Sequence, residues 1–137
     1  METTTIKTDI TLLCAKAESF PNGVLAAFQL IENAAPEFKK RDFYGLSRGN
    51  REGGIDYWAA VEQKKPEEPE KTGFESKTIR SGKYATLKIK DFRKNIPEIG
   101  QAFTKLLTLP EMDPNTFCLE KYENDTVKCM VRLKDHN

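Results

Sequence analysis

The stretch Phe117–Lys134, FCLEKYENDTVKCMVRLK, decides the reading of this chain, because it has the pattern of a β-hairpin carrying a carboxylate where an apolar side chain is expected. Asn124-Asp125 is a pair that tolerates the backbone angles of a tight turn. With the turn there, Tyr122 pairs with Val127, Glu120 with Cys129 and Cys118 with Val131. Strand side chains alternate faces, so Cys118, Glu120 and Tyr122 share a surface with Val127, Cys129, Val131 and Leu133. Lys121, Lys128, Arg132 and Lys134 fall on the other surface, which is expected to meet solvent. Phe117 and Leu119 lie there too, so partial cover on both faces is expected. Glu120 therefore sits on the drier face, where a carboxylate must take up a proton or find a cation or hydrogen-bond donor.

Bulk properties exclude several function classes. The 137 residues suffice for one domain with a core, or for two small halves. Lys+Arg 22 against Asp+Glu 21 gives a net charge of +1, which argues against nucleic-acid binding. No apolar run approaches a membrane span, and METTTIKTDI lacks the regions of a secretory signal, so the cytoplasm is the expected location and no membrane contact is expected. Cys14, Cys118 and Cys129 lack metal-type spacing and read as reduced, packed thiols. With His136 the only histidine, neither a metal site nor a cofactor site is expected.

Working outward from the hairpin, Asp9–Ser19 (DITLLCAKAES) reads as a first strand ending before Phe20-Pro21-Asn22-Gly23. Val24, Phe28, Ile31 and Ala35 fall at helical spacing, with Leu25 alongside, predicting an amphipathic helix from about Pro21 to Ala35 stopped by Pro36. Asp42–Arg48 and Ile55–Gln63 read as a hairpin around Gly49–Gly54. Lys64–Gly73, KKPEEPEKTG, is Pro-rich and charged, the composition of a solvated connector. Beyond it, Phe74–Lys90 has strand character broken at Ser81-Gly82. Asn95-Ile96-Pro97-Glu98 resembles a capped helix start, and Ile96, Ile99, Phe103 and Leu106, with Leu107, form a stripe ending near Leu109-Pro110. Both halves thus read strand, helix, strand, strand, an internal repeat with half-modules at about 8–63 and 74–134 joined by connector 64–73. The expected fold is α+β: duplicated β-α-β-β modules forming an antiparallel sheet region with two helices.

These motifs together resemble the effector-binding domains related to the gyrase-inhibitory protein, the GyrI-like family. The residues that carry the likeness are Gly82-Lys83-Tyr84-Ala85 opening a strand before a helix, Leu119-Glu120-Lys121-Tyr122, and FYGLSRGNREGGIDYWAAVE in the first half. The final turn Glu123-Asn124-Asp125-Thr126 is shorter than in many members, and the usual strand-ending proline is absent at Arg132-Leu133-Lys134. The resemblance implies a pseudo-twofold pair of modules with a central ligand groove, and a buried glutamate ringed by aromatics that meets hydrophobic, often cationic, small molecules. Carried onto this chain, Glu120 is the acid, with Tyr122, Tyr84, Trp58, Tyr44 and Tyr57 as candidate aromatic walls. The family's frequent DNA-binding helix-turn-helix is absent from this reading, which makes the chain a stand-alone binding module. Two alternatives stay open: a hydrolase acting on cyclopropanoid xenobiotics through Glu120 as acid or base, and a protein-interaction module with a protein partner.

Overall fold

Residues 1–135 are described in the computed structural model, and among them strands and helices alternate in an α+β chain. The strands are β1 Glu2–Ile6, β2 Ile10–Lys16, β3 Phe43–Gly49, β4 Ile55–Glu62, β5 Glu75–Ile79, β6 Gly82–Lys90, β7 Cys118–Glu123 and β8 Thr126–Arg132. The helices are α1 Val24–Glu32, α2 Glu68–Thr72 and α3 Ile96–Leu106. Among the described residues no helix is long and apolar enough to cross a membrane. The chain divides into two units, one spanning Ile10–Ile79 and the other combining Met1–Asp9 with the segment from Arg80 onward.

In the Ile10–Ile79 unit the antiparallel strand order is β3-β4-β2-β5. Leu13 and Ala15 of β2 and Tyr57, Ala59 and Val61 of β4 point to the face that α1 covers with Ala27 and Ile31, and Phe38 closes the edge of this core. Each fully buried large side chain here contributes about 1.5–3 kcal/mol. The other face is buried as well, at Leu12, Cys14, Tyr44, Leu46, Trp58 and Ala60. That explains the unbroken run Leu12-Leu13-Cys14-Ala15: a strand covered on both sides has no polar parity. Leu25, expected beside the apolar stripe, is solvent-exposed on the outer side of α1.

The second unit has the strand order β1-β6-β8-β7. Here α3 covers the face formed by Ala85 and Ile89 of β6 and Val127, Cys129 and Val131 of β8, using Ala102 and Leu106 with Ile99 and Phe103. Ile96, expected in the stripe, is exposed at the helix start, as is Leu107 after its end. The expected Asn cap is corrected too: the Asn95 amide turns back to the carbonyls of Lys90 and Asp91 rather than capping α3. Pro97 in the first turn, which lacks a donor that would be orphaned there, marks the helix start instead.

The module repeat takes the same form in both units: β2-α1-β3-β4 with order β2-β4-β3, and β6-α3-β7-β8 with order β6-β8-β7. An outer strand was not legible. β1 immediately precedes β2 in the chain but pairs with β6, while β5 immediately precedes β6 but pairs with β2. Each module thus receives its edge strand from the segment leading into the other, and the unit boundary falls at Ile79/Arg80 rather than in the connector. The break expected at Ser81-Gly82 is this change of partner.

The connector is more than a solvated linker. Glu68 of α2 is buried and takes a bidentate pair of hydrogen bonds from Arg41, at 2.9 and 2.7 Å, and further bonds from the backbone amides of Lys64 and Lys65. Arg41 also stacks over the Phe38 ring and donates to the Glu62 carbonyl. Gly73 ends α2 in the left-handed region with φ 77°, a conformation for which glycine is suited.

Candidate functional site

The hairpin forms with the register read from its turn: Tyr122 opposite Val127, Glu120 opposite Cys129, and Asn124 at φ 56° in the turn. Glu120 and Tyr122 therefore lie on the α3-covered side, beside Val127 and Cys129, which are fully buried. Glu120 keeps only 6 % of its surface exposed. The Tyr122 hydroxyl donates to Glu120 Oε1, and the Tyr122 ring meets Phe92 edge-on at 5.2 Å and 63°. Phe92 is placed by a short 3-10 turn after β6, entered through Asp91 at φ 51°, and its amide donates to the Asp125 carbonyl of the hairpin turn at 3.2 Å. Burial, reinforced by the charge of Glu120, pushes the Cys129 thiol up to about 12. The result is a carboxylate with a phenolic hydroxyl upon it and apolar and aromatic surroundings, able to act as the counter-charge of a hydrophobic cation or to give and take a proton.

The face opposite α3 is corrected from wet to largely buried, since Leu119, Met130 and Arg132 are all inaccessible. Arg132 donates to Asp113 at 3.2 Å, to Asp135 at 3.0 Å and to the Ser81 carbonyl at 3.0 Å. Tyr84 pairs with Arg132 in register and is on this face, away from Glu120. Its hydroxyl donates to the Arg80 carbonyl at 2.7 Å, and burial pushes it up to about 12. Tyr84 is thus a structural plug and does not ring Glu120. The Gly-x-Tyr-Ala opening acquires a structural explanation: a Cβ at Gly82, which has φ 139°, would lie 2.8 Å from the Arg132 guanidinium, and Ala85 packs under α3.

In the other unit the three candidate aromatics divide between faces. Tyr57 is on the α1 side, stacked on Phe20 at 5.7 Å and edge-on to Phe28 at 6.2 Å. Trp58 and Tyr44 point to the opposite face and are buried. Lys77, Arg48 and Lys16 approach the Trp58 ring at 4.5, 5.3 and 5.7 Å, and its Nε1 donates to Glu75 at 3.3 Å. Trp58, expected as a ligand wall, thus carries the protein's own cations. Of the expected residues, Glu120 and Tyr122 are brought together. Phe92, Phe20 and Phe28 are the rings that sequence reasoning did not assign to a site, although Phe28 stood in the helical stripe.

A surface depression of about 740 Å³ lies between α1 and the α2–Phe74 segment, lined by residues such as Gln29, Leu30 and Lys71, and none of the expected site residues reaches it. Among the described residues no cluster of His, Cys, Asp and Glu is arranged to hold a metal ion. His136 lies outside the described residues.

No protein-family model and no curated protein sequence matches this chain. Solved structures do match it in fold. An integron cassette protein from the mobile metagenome of Vibrio cholerae superposes with a TM-score of 0.66 at 19% identity, covering 97% of this chain and 95% of that one. The protein SAV2435, solved bound to tetraphenylphosphonium, gives a TM-score of 0.59 at 14% identity over 97% of this chain and 93% of its own. A hydrolase from Listeria innocua gives 0.56 at 7% identity, with 97% and 90% covered. At these identities the likeness establishes the fold.

Proposed function

We propose that this chain is a small-molecule-binding module of the GyrI-like class that takes hydrophobic cations, with Glu120 as the counter-charge. The observation that carries this reading is the placement of Glu120: a nearly inaccessible carboxylate on an apolar sheet face, bearing the Tyr122 hydroxyl, with Phe92 against that tyrosine. A carboxylate costs free energy in such surroundings, and a bulky cation of low hydration offsets that cost while burying its own apolar surface. The neighbour SAV2435 binds a cation of this kind. Tyr57 with Phe20 and Phe28 supplies a second aromatic cluster, on the α1 side, that suits the same ligand class.

Calorimetric titration with tetraphenylphosphonium and with the uncharged triphenylphosphine oxide tests it. Wild type is expected to prefer the cation, and Glu120→Gln to weaken the cation at least about tenfold while leaving the neutral compound within about twofold. Equal losses for both compounds, or no binding of either to wild type, refute the reading.

A hydrolase reading is favoured by one observation, the hydrogen bond from the Tyr122 hydroxyl to Glu120, which gives a proton-transfer pair. A neighbour of the same fold is a hydrolase. In a cyclopropanoid substrate, water would add across a strained C–C bond, its oxygen bonding one carbon and a proton the other. Mass spectrometry showing a water-added product with wild type but not with Glu120→Gln supports this alternative.

A further inference from the structure

β1 closes one end of the strand order in its unit and β5 one end in the other, and the two are near-copies in sequence, ETTTI and ESKTI. An edge strand presents a row of backbone amides and carbonyls that can pair with another chain. Proteins blunt such an edge with a proline, a bulge or an inward-pointing charged side chain. β5 is blunted: at its centre Lys77 turns inward over the Trp58 ring at 4.5 Å, with its side chain only 18% exposed. The matching position in β1 is Thr4, whose hydroxyl meets that of Thr86 at 2.9 Å. β1 has no proline and no bulge, since its register on β6 runs unbroken from Glu2 opposite Thr86 to Ile6 opposite Gly82. Its one charged residue, Glu2, stands at the strand's start and is drawn to Lys88 at 3.4 Å. Among the described residues no strand lies on the outer side of β1.

The partner that fits this edge is written in the strand itself. When two copies pair antiparallel about a twofold axis normal to the sheet, identical residues share a face, so one residue must sit opposite its own equivalent. With Thr4 on the axis, Thr4 faces Thr4 of the partner subunit, and Thr3 faces Thr5 of the partner subunit on either side of it. Three Thr–Thr pairs result. Threonine hydroxyls hydrogen-bond across strands, and the β-branched side chain suits a pleated surface. Glu2 then faces Ile6 of the partner subunit, so no like charges are opposed within the strand. Centring on Thr3 or on Thr5 leaves a single Thr–Thr pair and shortens the paired stretch, which singles out the Thr4 register. Thr3 and Thr5 are exposed and so are accessible for this pairing.

We infer that the outer edge of β1 is a self-association site, at which a second copy of this chain adds its own β1 antiparallel and extends the order β7-β8-β6-β1 across a twofold axis. The contact is short, with five residues on each side, so the association is reversible and weak beside interfaces of standard size. β6 and β8 separate β1 from β7, the strand that carries Glu120. Self-association and the ligand reading above therefore fail independently.

Analytical ultracentrifugation of the full chain, without a tag, tests the site. A monomer–dimer equilibrium is expected between about 10 μM and 1 mM protein. Thr3→Glu/Thr5→Glu sets like charges opposite each other at both off-axis pairs and is expected to weaken the dimer at least about tenfold. Thr3→Lys/Thr5→Glu sets opposite charges at the same two pairs and is expected to keep the dimer at wild-type strength or better at low salt. Both variants suit the monomer's own register, in which position 3 faces Ala85 and the new carboxylate at position 5 faces Lys83. Glu120→Gln is expected to dimerise like wild type. Hydrogen exchange on wild type is the second measurement and needs no variant: β1 amides gain protection as concentration rises, and β5 amides do not. A chain that stays monomeric to about 1 mM overturns the inference. So does a dimer equally strong in the two double variants, or concentration-dependent protection on β5 in place of β1.

Discussion

Replacing Glu68 with glutamine should cost this protein a large part of its stability, and the loss should disappear in acid. The Arg41 and Glu68 side chains are only 6% and 8% exposed and meet at 2.7 Å. The Arg41 hydrogen bonds, ahead of the amides of Lys64 and Lys65, hold the Glu68 carboxyl at about 2, against 4.5 for the ordinary group. At 1.36 kcal/mol per unit this difference corresponds to roughly 3 kcal/mol of stability at neutral pH. Because the folded value lies below the unfolded one, the contribution is fully present above pH 4.5 and is lost as pH falls toward 2. Glu68→Gln leaves the Arg41 guanidinium buried opposite a neutral amide, a change that costs about 3–5 kcal/mol out of the 5–15 typical of a domain. Urea unfolding followed through Trp58, which lies in the same unit, measures the difference between wild type and variant at pH 6 and near pH 2.5. The difference should be large at the first pH and shrink markedly at the second. A difference under about 1 kcal/mol at pH 6, or one that does not shrink in acid, refutes the argument.

Two further outcomes follow from the second unit and the buried thiols. Gly82→Ala should destabilise by about 1–3 kcal/mol in chemical denaturation, because φ 139° disfavours a side chain and the new Cβ meets the Arg132 guanidinium; Ser81→Ala next to it should change little. Cys14 and Cys129 are buried and their thiols are pushed up to about 12, so at pH 8 they remain neutral and a thiol reagent should label the partly exposed Cys118 alone until the chain is unfolded; rapid native labelling of all three would contradict this.

The parts of the fold that were legible in the sequence are those fixed by neighbours along the chain. The β7–β8 register follows from the Asn124-Asp125 turn, and α1 and α3 from the spacing of their apolar residues. What was not legible depends on distant partners. β1 is a polar, largely exposed strand whose pairing with β6 crosses most of the chain, tied by contacts such as the Thr4–Thr86 hydroxyl pair at 2.9 Å. Its ETTTI sequence has β-branched residues but no alternation to announce a strand. The connector's role is hidden for a related reason: Glu68 looks like any other charge in KKPEEPEKTG until Arg41, far back in the chain, is brought to it.

The same distinction between local and distant information divides the candidate site. Glu120 and Tyr122 share a strand, so their common face needed only the two-residue period. For Tyr84 the sequence offers a motif position, and a motif position does not state which side of a sheet it occupies. That side is set by the β6–β8 register, in which Leu87 faces Cys129 and Tyr84 faces Arg132. A signal was nonetheless present. Within GKYATLKIK, the set Ala85, Leu87 and Ile89 is wholly apolar and matches the face α3 covers, whereas Tyr84 alternates with Thr86 and Lys88. That parity puts Tyr84 on the far face together with Thr86 and Lys88. The same alternation that isolates one acid on the α3 side of this hairpin collects Lys121 and Lys128 on the other. A single four-stranded sheet thereby carries a buried acid with its tyrosine partner on one face and lysines, paired with Glu123 and Glu2, at the margin of the other.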